Sequence, residues 1–538
     1  MSYLAMNIDD MDWDTVFAEN YNDPEFWVWI RSTDPLLTKY IDYVFRGPFY
    51  PMDPNNSIKD TDSYKLSQYN MVNNKKQRLI EMYAYIEPRK GARDAHVVVA
   101  GIQDVVNTLS KVKVTLDHIK QMIWFSNSHF SQSYHFNPLP WLKIVFCHSG
   151  NLPLEISGVP EGTILPVSIP IVTIKSTDED CAHIVSHYEG LIQQGIWYPT
   201  TVATNALSFH SVMNKALKIT ATDEVRNKFL PFAMQDFGLR GCTCIQQAII
   251  GGKAVLYIIM GSDTVPGVIA AMEDQEMTGY SVAACEHNQV TANGAEGEFE
   301  FVDDLLNLYP NGILSVVSDT FDMFNHTDRI SSGHLRDRIL ARDGIFVTRP
   351  DSLGKKDNGD DMTPSETIIH IFTIFERNLR DYIKINEKGY KVLPDQYRVI
   401  YGDGLNIKKI EEIENELIAN GWCASNIIFG VGGHLLQKIN RDTERFAMKA
   451  SQQKFRMADN TIETRNFSKE TPGKESKKGT FHVCEIDGVI QCFNENDPKV
   501  EGIPNMLVRY FINGNICKDE NFKDIRARVK HYRDQLNV

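Results

Sequence analysis

Between residues 198 and 440, short apolar runs recur every two to five dozen residues, with helical patterns filling the intervals. The runs are FLPFAM, AVLYIIM, YSVAAC, ILSVVS, GIFVT, YRVIY and NIIF. Alternating strand and helix at this spacing predicts parallel strands joined by crossover helices, since a tight turn returns a chain only to an antiparallel neighbour. Seven or eight such units predict a (β/α) barrel. The flanks have another texture. Residues 58–197 mix amphipathic helices with GTILPVSIPIVTIKS, whose prolines predict edge or barrel-wall strands rather than a central one. Residues 441–538 carry the polar loop SKETPGKESKKGTF and end in a charged helical tail from NFKDIRARVKHYRDQ. Residues 1–57 are aromatic-rich and acidic, leave through the turn-rich GPFYPMDPNN, and read as an appended segment of unknown role.

The residues directly after each run carry the chemistry. In order they are Asp236-Phe237-Gly238, Gly261-Ser262-Asp263, Glu286-His287, Ser318-Asp319, Arg349-Pro350-Asp351, Gly402-Asp403-Gly404 and Gly430-Val431-Gly432-Gly433. In parallel α/β folds the carboxyl ends of the strands share one rim, and active sites lie there. Groups spread over 200 residues of chain are therefore expected as neighbours. Strands end in polar turns in any case, but this set is rich in Asp, Arg, His and Gly rather than Ser, Asn and Pro.

Size and charge narrow the function. At 538 residues the chain exceeds what one core usually serves, so two closely packed domains, or one large domain with additions, are expected. A hydrophobic share of 42% and a charged share of 23% are those of a globular protein. A formal charge of −14 argues against a nucleic-acid partner, which needs a basic face. The nine cysteines show no paired C-x-x-C spacing and read as reduced thiols without a zinc site. The start, MSYLAMNIDDMDWD, lacks the build of a signal peptide, and no apolar run is long enough to span a bilayer. A cytoplasmic protein without membrane contact is expected.

The last two units have the strongest physics. A strand, a glycine turn, a helix from Ile407 to Asn420 ended by Gly421, a strand and a second glycine turn succeed one another. Phosphate cradles of barrels are often built from the loops after the last two strands. Gly432 and Gly433 would leave amides open to a phosphate, and Asp403 would take ribose hydroxyls; a plain tight turn is the alternative. Arg349 suits a two-pronged contact to pyrophosphate. Asp351 and Asp319 are candidates for Mg²⁺ or a sugar hydroxyl, with structural salt bridges as the alternative. DFG at Asp236 lacks the companion motifs of a kinase, and GVGGHL lacks the third glycine of a dinucleotide fingerprint.

Taken together, DTDSYKLSQY, WYPTTVATN, DFGLRG, GSDTVPG, GYSVAACEH, SVVSDTFDMFN, RPDS, GYKVLPDQYRVIYGDG and FGVGGHLLQKINRD, in this order over residues 58 to about 480, resemble the nicotinamide phosphoribosyltransferases. The resemblance implies a type II phosphoribosyltransferase fold: an irregular (β/α) barrel over residues 198–440. It would be flanked by a mixed α+β domain made from both chain ends, 58–197 and 441–538, the latter including the C-terminal helix. It implies a homodimer with shared active sites. Nicotinamide would lie between Phe237 and Tyr64 of the partner subunit, with Asp263 accepting the carboxamide N–H and Arg240 alongside. Asp62, Asp351, Gly402, Asp403, Gly432, Gly433 and Arg441 would hold the phosphoribosyl unit, and Arg349 its diphosphate. His287 matches the histidine that becomes phosphorylated when ATP hydrolysis is coupled to synthesis, so His287, Arg349, Asp351 and Asp319 are the catalytic candidates.

The implied reaction joins nicotinamide to phosphoribosyl pyrophosphate, with Mg²⁺ on the leaving group and ATP as an optional co-substrate. Positioning and electrostatics do most of the work. A fixed carboxylate at Asp263 disfavours nicotinate. The alternatives are a nicotinate phosphoribosyltransferase and a non-catalytic nucleotide-binding protein on the same scaffold. Departures from the family pattern are Leu239 in place of an aromatic residue, His434 in place of a third glycine, Asn406 in place of an acid, and the charged loop KKDNGDDM after RPDSLG. The first 57 residues have no counterpart.

Overall fold

The computed structural model describes residues 12–27, 39–42, 44–45, 47, 51–131, 135–272, 276–471 and 475–536. The chain divides into two compact units, Met1–Tyr198 with Arg441–Glu520 and Pro199–Asn440 with Asn521–Val538.

The first unit is built on a seven-stranded antiparallel sheet. Its strands run in the order Ile462–Asn466, Phe446–Met457, Gln77–Pro88, Val172–Ser176, Leu154–Gly158, Val508–Ile512 and Asn515–Ile516. The two long strands, Gln77–Pro88 and Phe446–Met457, pair over their whole length and tie the early chain to the late chain. Turn chemistry fixes two hairpins. Asp487-Gly488 and Asn513-Gly514 all have positive φ, the mirror-image turn whose twist matches that of the strands it joins. The early segment belongs to this unit: on the helix Trp13–Asn20, Phe17 is buried and stacks on Phe146 at 5.6 Å between ring centroids. Residues 1–11 lie outside the described part. One expectation needs correction. Ile164–Pro166 is confined to a two-stranded ribbon, but Val172–Ser176 is central in the large sheet, since its prolines precede the strand and leave its donors intact.

The second unit holds seven parallel strands: Met234–Asp236, Gly261–Ser262, Ala283–Ala284, Asn311–Val317, Asp343–Arg349, Tyr397–Tyr401 and Ile427–Val431, the first to seventh barrel strands. Their order in the sheet is second, first, seventh, sixth, fifth, fourth, third. The sheet curls, and a parallel bridge from Gly261 to Tyr280, just ahead of the third strand, draws its two edges together. This is the irregular α/β barrel expected from the alternation of runs.

Three runs sit differently from the expectation: of FLPFAM, Phe229 ends the helix Asp223–Phe229, Leu230–Phe232 form a tight turn and only Met234 is in a strand. Ala254 and Val255 of AVLYIIM end the helix Ile245–Val255, and the strand begins only at Gly261. Only Ala283 and Ala284 of YSVAAC are in a strand. AVLYIIM is apolar because it is buried in a helix end and its exit, where a continuous apolar run has no strand-specific period, whereas YSVAAC is largely exposed and its Tyr280, Val282 and Ala284 line the barrel cavity. Two further details fall as the residues dictate. The helix Ile407–Ala419 is capped by the Asn406 side chain on the Lys409 N–H, buries Ile410, Ile413 and Leu417, and is closed by Gly421 at φ +75°. Thr363, Pro364 and Glu366 form a capping box at the start of Pro364–Asn378.

The C-terminal helix Phe522–Leu536 belongs to the second unit rather than to the flanking domain. Phe522, Ile525 and Val529 are buried, and Phe522 packs edge-on against Tyr257. Among the described residues no helix is long and apolar enough to cross a membrane. All nine cysteines are free.

The two-residue second strand is held from behind. The helices Ile245–Val255 and Val265–Ala271 cross at Gly252 and Gly267, where a Cβ on Gly267 would lie 2.6 Å from the Gly252 Cα. Overpacking of this kind costs about 1–3 kcal/mol. Gly267→Val is expected to lower the urea midpoint by that equivalent; an unchanged midpoint would show that the crossing has slack.

Candidate active site

Seven strand ends converge as the topology requires. One cleft of about 670 Å³ is lined by Phe237, Arg240, Asp263, His287, Arg349, Asp351, Gly402 and Gly432, together with Leu239. Asp319 and Asp403 adjoin it, and both act electrostatically on Asp351. Gly433 opens the short helix Gly433–Leu436 directly after Gly432. Tyr64, Asp62 and Arg441 belong to the first unit, where Asp62 precedes the turn Ser63–Ser67, Tyr64 is 57% exposed and Arg441 pairs loosely with Asp442 at 3.3 Å.

The aromatic side of the cleft starts from Phe237. Its N–H donates to the Val431 carbonyl at 2.9 Å, which extends the ladder between the first and seventh strands by one residue. A Cβ on Gly430 would lie 2.4 Å from the Phe237 ring, so the ring occupies space that any other residue would fill. The preceding Asp236 is fully buried and accepts from the Gly238 N–H at 2.8 Å and the Ser262 hydroxyl at 3.3 Å. Burial pushes its carboxyl up to about 6. Asp263 donates its N–H to the Asp236 carbonyl, while its carboxylate accepts from the Ser281 hydroxyl.

The polar side is built on the fourth to sixth strands. Arg349 Nη2 donates to the Cys285 carbonyl at 2.5 Å, and its buried Nε has no partner. A Cβ on Gly402 would meet the Asp351 carboxylate at 3.3 Å, so the sixth strand end accommodates that acid closely. Enclosure raises Asp351 above the ordinary carboxylate range. The Asp319 and Asp403 charges add to this, and Arg349 and His287 offset part of it. His287 begins the helix His287–Leu308, where its Nδ1 lies 3.0 Å from the Thr320 hydroxyl and its Nε2 3.8 Å from Asp319 Oδ1. That oxygen is buried and has no hydrogen-bond partner. An unpartnered buried carboxylate oxygen beside two further carboxylates fits a divalent cation, which takes one or two protein carboxylates plus substrate phosphates.

A second cavity of about 360 Å³ continues from the cleft into the barrel lumen. The two share Phe237, Asp263, Val282, Ala284 and Arg349, and the lumen adds Gln235, Ser281, Ser315 and Arg398. Sequence reasoning took only residues after each run, so it missed these inward positions. The alternation of side chains within each strand is the signal that finds them. Elsewhere among the described residues one trio has metal-ligand spacing, His148, Asp178 and Cys181. There Lys143 already pairs with Asp178 at 3.1 Å, and burial holds the Cys181 thiol protonated, which disfavours a metal.

A curled parallel sheet whose strand ends share one cleft with an acidic, arginine-bearing rim defines a phosphoribosyltransferase of type II architecture. The family model "Nicotinate phosphoribosyltransferase (NAPRTase) family" matches residues 232–531, and "Nicotinamide phosphoribosyltransferase, N-terminal domain" matches residues 56–156. The chain belongs to the nicotinate phosphoribosyltransferase family. Among similar proteins is a nicotinamide phosphoribosyltransferase of Xanthomonas campestris pv. campestris, 32% identical over 88% of this chain and 98% of its own. Another, from Mycoplasma pneumoniae, is 33% identical over 55% of this chain and 64% of its own. Two solved structures share the fold at a TM-score of 0.55. One is a nicotinate-nucleotide pyrophosphorylase from Pyrococcus furiosus, at 17% identity over 91% of this chain and 99% of its own. The other is the human nicotinic acid phosphoribosyltransferase, at 12% identity over 88% and 94%.

Asp236 gives the site a pH signature. Its folded value of about 6 lies above the ordinary 3.8, so its contribution to stability is fully present below about 3.8 and is lost as pH rises through 6. Between pH 4 and pH 6 the wild type should lose on the order of 2–3 kcal/mol relative to Asp236→Asn. Urea titrations across this range check it, and parallel curves for the two proteins would refute the assignment.

Proposed function

We propose that the protein is a nicotinamide phosphoribosyltransferase, forming nicotinamide mononucleotide and pyrophosphate from nicotinamide and phosphoribosyl pyrophosphate. The observation that carries this reading is a single cleft with an aromatic face and a fixed carboxylate, Phe237 and Asp263, on one side. Arg349, Asp351, Gly402 and Gly432 stand on the other. Relatives named for the same activity support it.

Phe237 offers a face for the pyridine ring, and Asp263 accepts the carboxamide N–H. The ring nitrogen then points toward C1 of the ribosyl unit. As the new N–C1 bond forms and the C1–O bond to diphosphate breaks, positive charge grows on the sugar and negative charge on the leaving group. Arg349 takes the leaving diphosphate, Asp351 and Asp403 hold ribose hydroxyls, and the Gly432-Gly433 backbone holds the 5′-phosphate. Asp319 and Asp351 are the residues that would hold Mg²⁺, which supplies charge neutralisation on the diphosphate. No protein nucleophile is required, and geometry supplies most of the rate.

Asp263 also sets the choice of base. A carboxylate fixed by Ser281 repels the carboxylate of nicotinate, while the amide donates to it. His287, next to Asp319 at the cleft, is the candidate phosphate acceptor in an ATP-stimulated mode. The homodimer and the roles of Tyr64, Asp62 and Arg441 rest on the family resemblance.

Purified protein supplied with both bases and Mg²⁺ is expected to consume nicotinamide first; preferential use of nicotinate would overturn the assignment. Asp263→Asn should narrow the preference by about tenfold or more, as removal of one charge repulsion of roughly 1.4 kcal/mol implies. Unchanged discrimination would remove Asp263 from that role. For the shared site, Tyr64→Ala and Phe237→Ala are each expected to be impaired alone and to regain activity when co-refolded; absence of rescue counts against sharing.

A further inference from the structure

A small polar pocket of about 180 Å³ lies outside the cleft, within the second unit. Residues 210–218 of the long helix Glu189–Thr220 form one wall, the helix Asp223–Phe229 another, and the C-terminal helix Phe522–Leu536 a third. Among the described residues its lining carries the cations Lys218, Arg226 and Arg533 and the carboxylate Asp534. This is a local reversal in a chain whose net charge is −14.

Arg533 is poorly compensated, and Arg226 has its carboxylate on the solvent side. The Arg533 side chain is 19% exposed, and among the described residues the carboxylate paired with it, Asp534, lies 3.9 Å away with a 63% exposed side chain. Its Nη1 donates instead to a neutral acceptor, His210 Nε2, at 2.9 Å. With Nε2 accepting, the His210 proton sits on Nδ1, a buried atom that has no hydrogen-bond partner. Burial, with Arg533 and Lys218 adding repulsion, holds His210 down to about 3, so it brings no charge of its own. Arg226 pairs with Asp223 at 3.0 Å, a partner whose side chain is 80% exposed. Arg526, on the same face as Arg533, adds further like charge: burial and Arg533 both lower its affinity for a proton. Holding cations together in a half-buried pocket is unfavourable unless an anion neutralises them.

We propose that this pocket is a second anion site, separate from the catalytic cleft, which takes a phosphate-class oxyanion between Arg533, Arg226 and Lys218. Guanidinium forks match tetrahedral oxyanions in two-pronged contacts, and a lysine adds a point charge. The volume lies below the range of about 300–1,000 Å³ that encloses drug-sized ligands, so the occupant is an inorganic oxyanion or the phosphate head of a molecule whose remainder stays outside. Bound there, the anion ties the C-terminal helix to the long helix of the same unit. This site does not depend on the identity of the base used in the cleft.

The test uses the full chain and inorganic phosphate, compared with chloride at equal ionic strength. At about ten times its dissociation constant, phosphate is expected to raise Tm by roughly 3 °C, and Arg533→Gln should lose that rise. Arg349→Gln, which removes an anion contact in the cleft, should keep it. Should Arg533→Gln fold poorly, Arg226→Gln reads the same effect from the far wall of the pocket. Pyrophosphate and a mononucleotide run in parallel separate a free oxyanion from a phosphate head. The proposal is overturned if the pocket variants keep the full rise, if Arg349→Gln abolishes it, or if chloride reproduces it.

Discussion

Close approach of backbone to side chain is the constraint on which the catalytic unit depends. Phe237 and Asp351 both stand against strand ends that carry no side chain, Gly430 and Gly402. A methyl group at Gly430 would take the volume of the aromatic ring, and one at Gly402 would press on the acid. Because the sixth and seventh strands are adjacent in the sheet, these clearances sit side by side. An aromatic face and an acidic rim therefore fit within one cleft without widening the barrel. The curl of the sheet brings the strand ends together, and the glycines decide how near the chemistry comes to the backbone.

Much of this was legible in the chain, for identifiable reasons. The strand–turn–helix–strand–turn order from Tyr397 to Gly433 could be read residue by residue, since the Asn406 cap, the buried Ile410, Ile413 and Leu417, and Gly421 all act locally. The rim residues were legible because a parallel sheet has a polarity, and position after a strand fixes the end of the barrel. Other features escaped because they arise from packing between distant segments. The second strand is two residues long and takes its place from the Gly252–Gly267 crossing, so the apolar run before it misleads. The C-terminal helix joins the barrel unit through contacts such as Phe522 on Tyr257, which no periodicity encodes. Val172–Ser176 lies centrally although its neighbours suggest an edge, because a proline matters only at the residue whose N–H it removes. The lumen residues Gln235 and Arg398 lie on strands read only for their ends, and Ser281 lies in the loop ahead of the third strand.

Charge is distributed unevenly in the second unit, and burial governs how. At the rim, Asp319 and Asp403 both repel Asp351, which Arg349 and His287 relieve only in part. Such a set favours occupants that bring cations together with phosphates. Behind the aromatic wall, Asp236 forms hydrogen bonds within the protein instead of meeting water, which lets a carboxyl group serve as a framework element. Where the long helix meets the C-terminal helix the imbalance has the opposite sign. One unit thus presents separate regions of unsatisfied negative and positive charge, despite an overall acidic composition.

The position of Asp263 is inherited rather than local. Its N–H is fixed by Asp236, its carboxylate by Ser281, and the helix that leaves it at Val265 rests on two residues without side chains. The group proposed to discriminate between an amide and an acid is therefore steered by a contact outside the cleft. Lineages of this architecture could drift in base preference through buried substitutions behind the second strand, leaving every residue in the cleft unaltered. A comparison of sequences confined to the cleft would overlook such a change.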